Sequence, residues 1–172
     1  MKIPVLKTER LTLRGWEISD AEALFSLNSD PDFVKYLGAG NTLNRQDSWR
    51  VLAMLAGHWT LKGFGLWAIV HNETQEVIGR AGLWEPEGWP GIELGWGISP
   101  KFWGKGYAIE AATACLNWAF TELKLQSVIS IIHPDNLASK KLALKLGEKY
   151  NYSAELNDIK FDIYSIERPN QD

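Results

Sequence analysis

The chain has 172 residues, of which 45% are hydrophobic and 23% charged, with a net charge of −3. That is the composition of an ordinary globular domain, long enough to bury one sizeable core. The slightly negative balance, without any lysine/arginine block, gives no electrostatic footprint for nucleic acid. No apolar run is long enough for a membrane helix, no secretory leader is recognisable, and the single cysteine, Cys115, has no intrachain partner; the expectation is a cytoplasmic protein in a reducing compartment.

Residues 9–16 alternate polar and apolar side chains and predict a first strand. Ser19-Asp20-Ala21-Glu22 has capping-box spacing ahead of a short helix carrying Ala23, Leu24 and Leu27. Asp30-Pro31 predicts another helical turn with Phe33, Val34 and Leu37, ended by Gly38 and Gly40. Trp49, Leu52, Ala53, Leu55, Ala56 and Trp59 mark a second helix that closes near Gly63. Strands are expected over residues 64–70 and 77–84, joined by a polar hairpin loop at 72–76, and the turn at 86–91 leads into the central stretch.

That stretch, residues 92–123, begins as a strand interrupted by Gly95 and Gly97. Glycine inside a strand marks a bulge or a close approach to the backbone. Ser99-Pro100 breaks the strand, and Trp103-Gly104-Lys105-Gly106-Tyr107-Ala108 turns straight into a helical pattern with Ala111, Ala112, Cys115, Leu116, Ala119, Phe120 and Leu123 on one face. A strand, a glycine turn and a helix N-terminus form an anion cradle, because the first helical amides lack internal partners and the dipole is positive there. The run satisfies neither the Walker A pattern nor G-x-G-x-x-G, since Ile109 stands where the third glycine would. Taken alone, the glycine pair is as often a plain turn as a ligand site.

Downstream, residues 127–132 read as a strand buried on both faces. Pro134-Asp135-Asn136 breaks it, Leu137, Leu142, Ala143 and Leu146 mark a helix ended by Gly147, and two strands follow over 149–156 and 159–166. With no repeat and no linker, residues 1–172 read as one α+β domain. The three histidines have no ligand spacing, so no metal site is expected. The nine tryptophans are mostly core by default.

Several ordered motifs together resemble the GNAT (general N-acetyltransferase) superfamily, in the branch of ribosomal-protein N-terminal acetyltransferases and related small-molecule acetyltransferases. They are Thr8-Glu9-Arg10-Leu11-Thr12-Leu13-Arg14, Val77-Ile78-Gly79 with Gly82-Leu83, Glu93-Leu94-Gly95-Trp96, the glycine turn through Glu110-Ala111, Asn136 with Ser139, and Leu146-Gly147. Trp103 stands where the superfamily signature has Arg or Gln, and Glu148 where it generally has Phe.

The resemblance implies a twisted mixed sheet splayed between its fourth and fifth strands, with helices on both faces and acetyl-CoA in the wedge. Pantetheine would pair with Trp96, Gly97 and Ile98, and the pyrophosphate would rest on the amides of Trp103, Gly104, Lys105, Gly106, Tyr107 and Ala108. Lys140, Lys141 and Lys145 are candidates for the adenosine 3′-phosphate, or simply a solvated helix face. The reaction implied is direct attack of an amine on the thioester, with an oxyanion donor from the backbone near residues 96–98. Glu93 is the candidate base, through water, or else a cross-strand carboxylate. The family's usual tyrosine acid falls on Ala143, so Ser139 is the candidate acid, or a helix cap. Asn136 divides in the same way between pantetheine contact and capping. Trp16, Trp59, Trp67 and Trp84 are candidates to line the acceptor site.

The acceptor is expected to be a small-molecule amine or a protein N-terminus. An α-amine of pKa about 8 is short of its neutral form at pH 7 by roughly 1.4 kcal/mol, and a lysine amine by roughly 4.6 kcal/mol. A water relay serves the first far better than the second. An acyl-CoA-binding module without turnover is the alternative reading.

Overall fold

Residues 2–169 are described by the computed structural model. Among them the strands are β1 (Leu6–Lys7), β2 (Leu11–Arg14), β3 (Leu66–His71), β4 (Val77–Trp84), β5 (Glu93–Ile98), β6 (Ser127–Ile132), β7 (Lys149–Leu156) and β8 (Ile159–Glu167). The α-helices are α1 (Ala21–Asn28), α2 (Pro31–Val34), α3 (Arg45–Lys62), α4 (Tyr107–Thr121) and α5 (Leu137–Leu146). The strands form one sheet in the order β1-β2-β3-β4-β5-β6-β8-β7. The architecture is the α+β mixed sheet that the motifs implied.

Local chemistry sets the element ends. Asp30 accepts from the amides of Asp32 and Phe33 ahead of Pro31, so α2 starts where the Asp-Pro pair predicted. Helix α3 begins earlier than the apolar pattern suggested, because the Asn44 side chain caps it by accepting from Asp47 N at 2.9 Å. Gly63, at φ +78°, ends it in the left-handed conformation that an L side chain resists. The expected Ser19 capping box is replaced. Asp20 accepts the Glu17 amide at 2.8 Å and holds Arg14 through both oxygens, at 2.7 and 2.8 Å, so the chain turns one step earlier, in a short 3-10 turn. Asn157 and Asp158, both at positive φ, close the β7–β8 hairpin, as the right-handed twist of paired strands favours.

The main core lies between the sheet and α4. Leu94 and Ile98 of β5, Ile78 and Leu83 of β4, and Leu11 and Leu13 of β2 pack on Ala111, Cys115 and Ala119. A smaller cluster of Trp16, Leu24, Leu52, Leu55 and Ala68 seats α1 and α3 on the opposite side. Among the described residues no helix is long and apolar enough to cross a membrane.

Between β5 and β6, the fourth and fifth strands when counting starts at β2, the sheet opens. Every other neighbouring pair is antiparallel over two or more ladder positions, with bulges in β3–β4 and β7–β8, but these two run parallel and share a single ladder position, Glu93 with Ile129. Ile129 N donates to Ile92 O at 3.0 Å and the Ser130 hydroxyl to Leu94 O at 2.8 Å; beyond those bonds the strands part.

Candidate active site

Backbone alternation determines what β5 offers to the wedge. The carbonyls of Ile92 and Leu94 both face β6, so the groups of Trp96 and Ile98, two and four residues on, face the same way. Ile98 O is taken by the Trp103 indole N–H at 2.7 Å, which leaves the amide and carbonyl of Trp96 and the amide of Ile98 as the open strand edge. Gly97 faces its backbone toward β4 and contributes by lacking a side chain, since a Cβ there would lie 3.2 Å from the Phe33 ring. Gly79 has the same kind of reason: a Cβ would sit 2.1 Å from Gly97 O, so the two strands close only over glycine.

At the end of this edge lies the glycine turn. Gly104 and Gly106 adopt φ +74° and +82°, which point successive amides one way. The amides of Gly104, Lys105 and Gly106 have no hydrogen-bond acceptor among the described residues, and the first turn of α4 adds its own orphan donors. That is the cradle a diphosphate requires. A cavity of about 740 Å³ runs along it, bounded by Trp96, Ile98, Trp103, Gly104, Gly106 and Tyr107, and by α5 across the wedge. The residues present therefore fit coenzyme A. The Lys105 side chain is not part of this wall; its Nζ lies 5.4 Å from the Phe102 ring. Lys141 and Lys145 do border the cavity, whereas Lys140 is committed to Asp162 at 2.7 Å and is withdrawn from the expected phosphate set.

A second cavity, of about 670 Å³, lies on the other side of Trp96, and Tyr36, Leu37, Trp96, Asn136 and Ser139 border both. Asn136 caps α5, its Oδ1 accepting from Ser139 N at 3.1 Å, while the side chain still borders both cavities. Both roles weighed for it are thus sterically available. The Ser139 hydroxyl accepts the Trp96 indole N–H at 3.3 Å, so its own proton is free to point into the junction.

Glu93 lies in the second cavity and accepts from the Trp89 indole at 2.7 Å. Burial pushes its carboxyl up to about 7, although the Trp89 N–H and the Arg80 charge pull the other way. A carboxyl of that pKa beside the junction of the two cavities suits a general base near neutrality. Cys115 is fully buried in the core and burial raises its thiol pKa, so it offers no nucleophile.

Three tryptophans expected at the acceptor site are elsewhere. Trp59 and Trp67 are 1% and 0% exposed in the main core, and Trp16 is buried in the smaller cluster. Their indoles donate to Leu66 O, Pro4 O and Leu66 O respectively, satisfying the polar edge inside the fold. Trp84 alone of the four borders the second cavity, stacked on His58 at 4.2 Å. Arg80, Tyr36, Trp89 and His133 also border it and were not singled out in the sequence. For Arg80 a signal existed, a lone cation in an otherwise apolar strand.

Glu148 does not pack as the family's phenylalanine would. It is 1% exposed, with Oε1 2.9 Å from the Ser130 hydroxyl and Oε2 without a partner among the described residues. Ser130 has one proton and two acceptors in reach, Leu94 O and Glu148. Both contacts are hydrogen bonds when Glu148 keeps its proton and donates. Burial raises this carboxyl to about 7, in keeping with that state, and the Glu93 charge pushes in the same direction.

A splayed sheet with an open edge, an anion cradle and a second cavity at the splay point has the shape to hold a long phosphorylated ligand beside a second, smaller one. The chain belongs to the family described by the acetyltransferase (GNAT) domain model, which matches residues 10–149, and it is an acetyltransferase of that family. It is 29% identical to the uncharacterised N-acetyltransferase YoaA of Bacillus subtilis (strain 168), over 98% of this chain and 99% of the relative. The crystal structure of an acetyltransferase from Agrobacterium tumefaciens str. C58 superposes with a TM-score of 0.86 at 32% identity, covering 98% of this chain and 96% of that one. RimL, a ribosomal L7/L12 alpha-N-protein acetyltransferase solved in complex with coenzyme A, shares the fold at a TM-score of 0.79 and 15% identity, over 95% and 98% of the two chains.

Proposed function

We propose that the protein is an acetyl-CoA-dependent N-acetyltransferase that passes the acetyl group directly to a primary amine. The observation carrying this reading is the meeting of two cavities at Trp96, Asn136 and Ser139, one along the diphosphate cradle and one holding Glu93. Acetyl-CoA supplies a thioester whose carbonyl carbon accepts the amine. The open edge of β5 at Trp96 aligns the pantetheine arm, and its amide is the donor to the acetyl oxygen. Glu93, ionised above about pH 7, takes the amine's proton through water as the C–N bond forms. Ser139 gives its proton to the sulfur as the C–S bond breaks, and recovers one from solvent. The unpaired amides of residues 104–106 hold the diphosphate, with Lys141 and Lys145 toward the adenosine end.

The test is release of free thiol from acetyl-CoA against amino acids, small amines and N-terminal peptides. The acetylated product is identified by mass. Turnover with at least one amine supports the reading. Tight CoA binding without turnover on any of them overturns it in favour of a binding module.

A further inference from the structure

Arg80 occupies the middle of β4, opposite Gly97, in a strand otherwise built of apolar residues and glycine. The pairing places it on the sheet face that also carries Trp84 and Glu93, and all three border the acceptor-side cavity. Arg10, Arg14, Arg45 and Arg50 each hold a carboxylate. Arg80 holds none: among the described residues its guanidinium forms no ion pair, and the Phe33 ring lies 5.8 Å from Cζ.

A guanidinium half-buried in a cavity wall without a partner is poorly solvated. Burial lowers its pKa to about 10, which the Glu93 charge only partly offsets, so it remains charged at neutral pH. An entering anion relieves that cost. The planar fork of arginine matches a carboxylate through two parallel hydrogen bonds.

We propose that Arg80 receives the carboxylate of the acceptor, so that the enzyme acylates an amine that carries its own acid group, of the amino-acid class. This rests on the acyl-transfer reading above and names its substrate. The cavity presents one cation and one carboxylate, Arg80 and Glu93, which do not pair with each other. Opposite charges held apart suit a zwitterion whose ammonium enters toward Glu93 and whose carboxylate enters toward Arg80. The walls supplied by Tyr36, Met54, Trp84, Trp89 and Phe161 give the remaining side chain an apolar and aromatic surround. A polyamine would find a cation where it needs several carboxylates.

The test compares kcat/KM for amino acids with that for their carboxamides in wild type, Arg80→Gln and Arg80→Lys, each checked for CoA binding. A carboxamide has the less basic amine, so the acid-to-amide ratio is compared between proteins and not read alone. The expected result is a ratio that falls by about 100-fold in Arg80→Gln and less in Arg80→Lys, which keeps the charge without the fork. An unchanged ratio in both variants overturns the proposal. So does preference for O-phosphoethanolamine over every carboxylate, which would make this a phosphate site. If no amine is acetylated, the acyl-transfer reading fails, and the Arg80 site is decided by binding instead. Tryptophan fluorescence of the CoA-loaded protein would then be titrated with N-acetylated amino acids and their carboxamides. Selective binding of the acids, weakened in Arg80→Gln, supports the site; equal or absent binding overturns it.

Discussion

Arg10 grips Glu110 through Nε at 2.7 Å and Nη2 at 2.6 Å, while its remaining nitrogen, Nη1, donates to the Lys105 carbonyl at 2.8 Å. Glu110 also accepts from Thr8 Oγ1 and from the Arg10 amide. Although desolvation pushes its carboxyl up, the Thr8 and Arg10 contacts prevail and hold it below the usual range. The segment leading into β2 is therefore tied to the glycine turn and the first turn of α4, nearly a hundred residues away in sequence. The turn's amides converge because its carbonyl side is anchored.

Removing that anchor should weaken the cradle without touching the junction of the two cavities. Glu110→Gln is expected to raise the dissociation constant of CoA by about tenfold, the scale on which misplaced positioning groups act, with kcat at saturating acetyl-CoA little altered. Calorimetric titration checks it. An unchanged affinity would show that the turn keeps its shape unaided.

Glu93 predicts a pH profile. Its folded pKa is raised, so the carboxyl is protonated below about 7 and works as a base only above it. The kcat/KM of wild type should rise with pH through an inflection near 7, and Glu93→Gln should be slower by about 100-fold and lack that inflection. A profile that persists in the variant assigns the titration to the amine instead.

For Ser139→Ala the expected loss is about 10- to 100-fold in kcat, with CoA binding retained, since the Asn136 cap uses the Ser139 backbone amide. A change in CoA affinity with kcat preserved would mark the hydroxyl as a structural contact to Trp96 alone.

Glu148 predicts a stability effect of definite sign. Its folded pKa, about 7, lies above the unfolded value near 4.3, so its contribution is complete at low pH and is lost as pH rises through about 7. Glu148→Gln keeps a donor toward Ser130 and never ionises. Its melting temperature should approach that of wild type near pH 4.5 and exceed it increasingly up to pH 8. Thermal melts across that range decide the matter, and a constant offset refutes it.

The elements most legible in the sequence were those with sharp chemical ends. Strand β4 and strand β6 lie over the expected residues, and α5 runs between Asn136 and Gly147 as the cap residues dictated. The two-residue strand β1 was missed, because so short an edge strand has no alternation to detect. Trp59 and Trp67 were misplaced because indole rings serve cores and pockets equally well, and only depth separates the uses. Partnership was least visible. That Lys140 is occupied by Asp162, that Arg80 has no ion pair among the described residues and that Glu148 meets Ser130 all depend on neighbours remote in sequence. Charge alone does not reveal which residues will meet.

The last hairpin, β7–β8, supplies Leu156, Asn157, Ile159 and Phe161 to the cavity that holds Glu93, and β8 is the partner that holds β6 on its far side. During synthesis the cradle residues emerge well before this wall does. A nascent chain ending at Glu148 would carry the glycine turn and α5 but only an unbacked β6, with one flank of the cavity missing. The second cavity therefore gains its full wall only once this hairpin has emerged, after the glycine turn and α5 are already out.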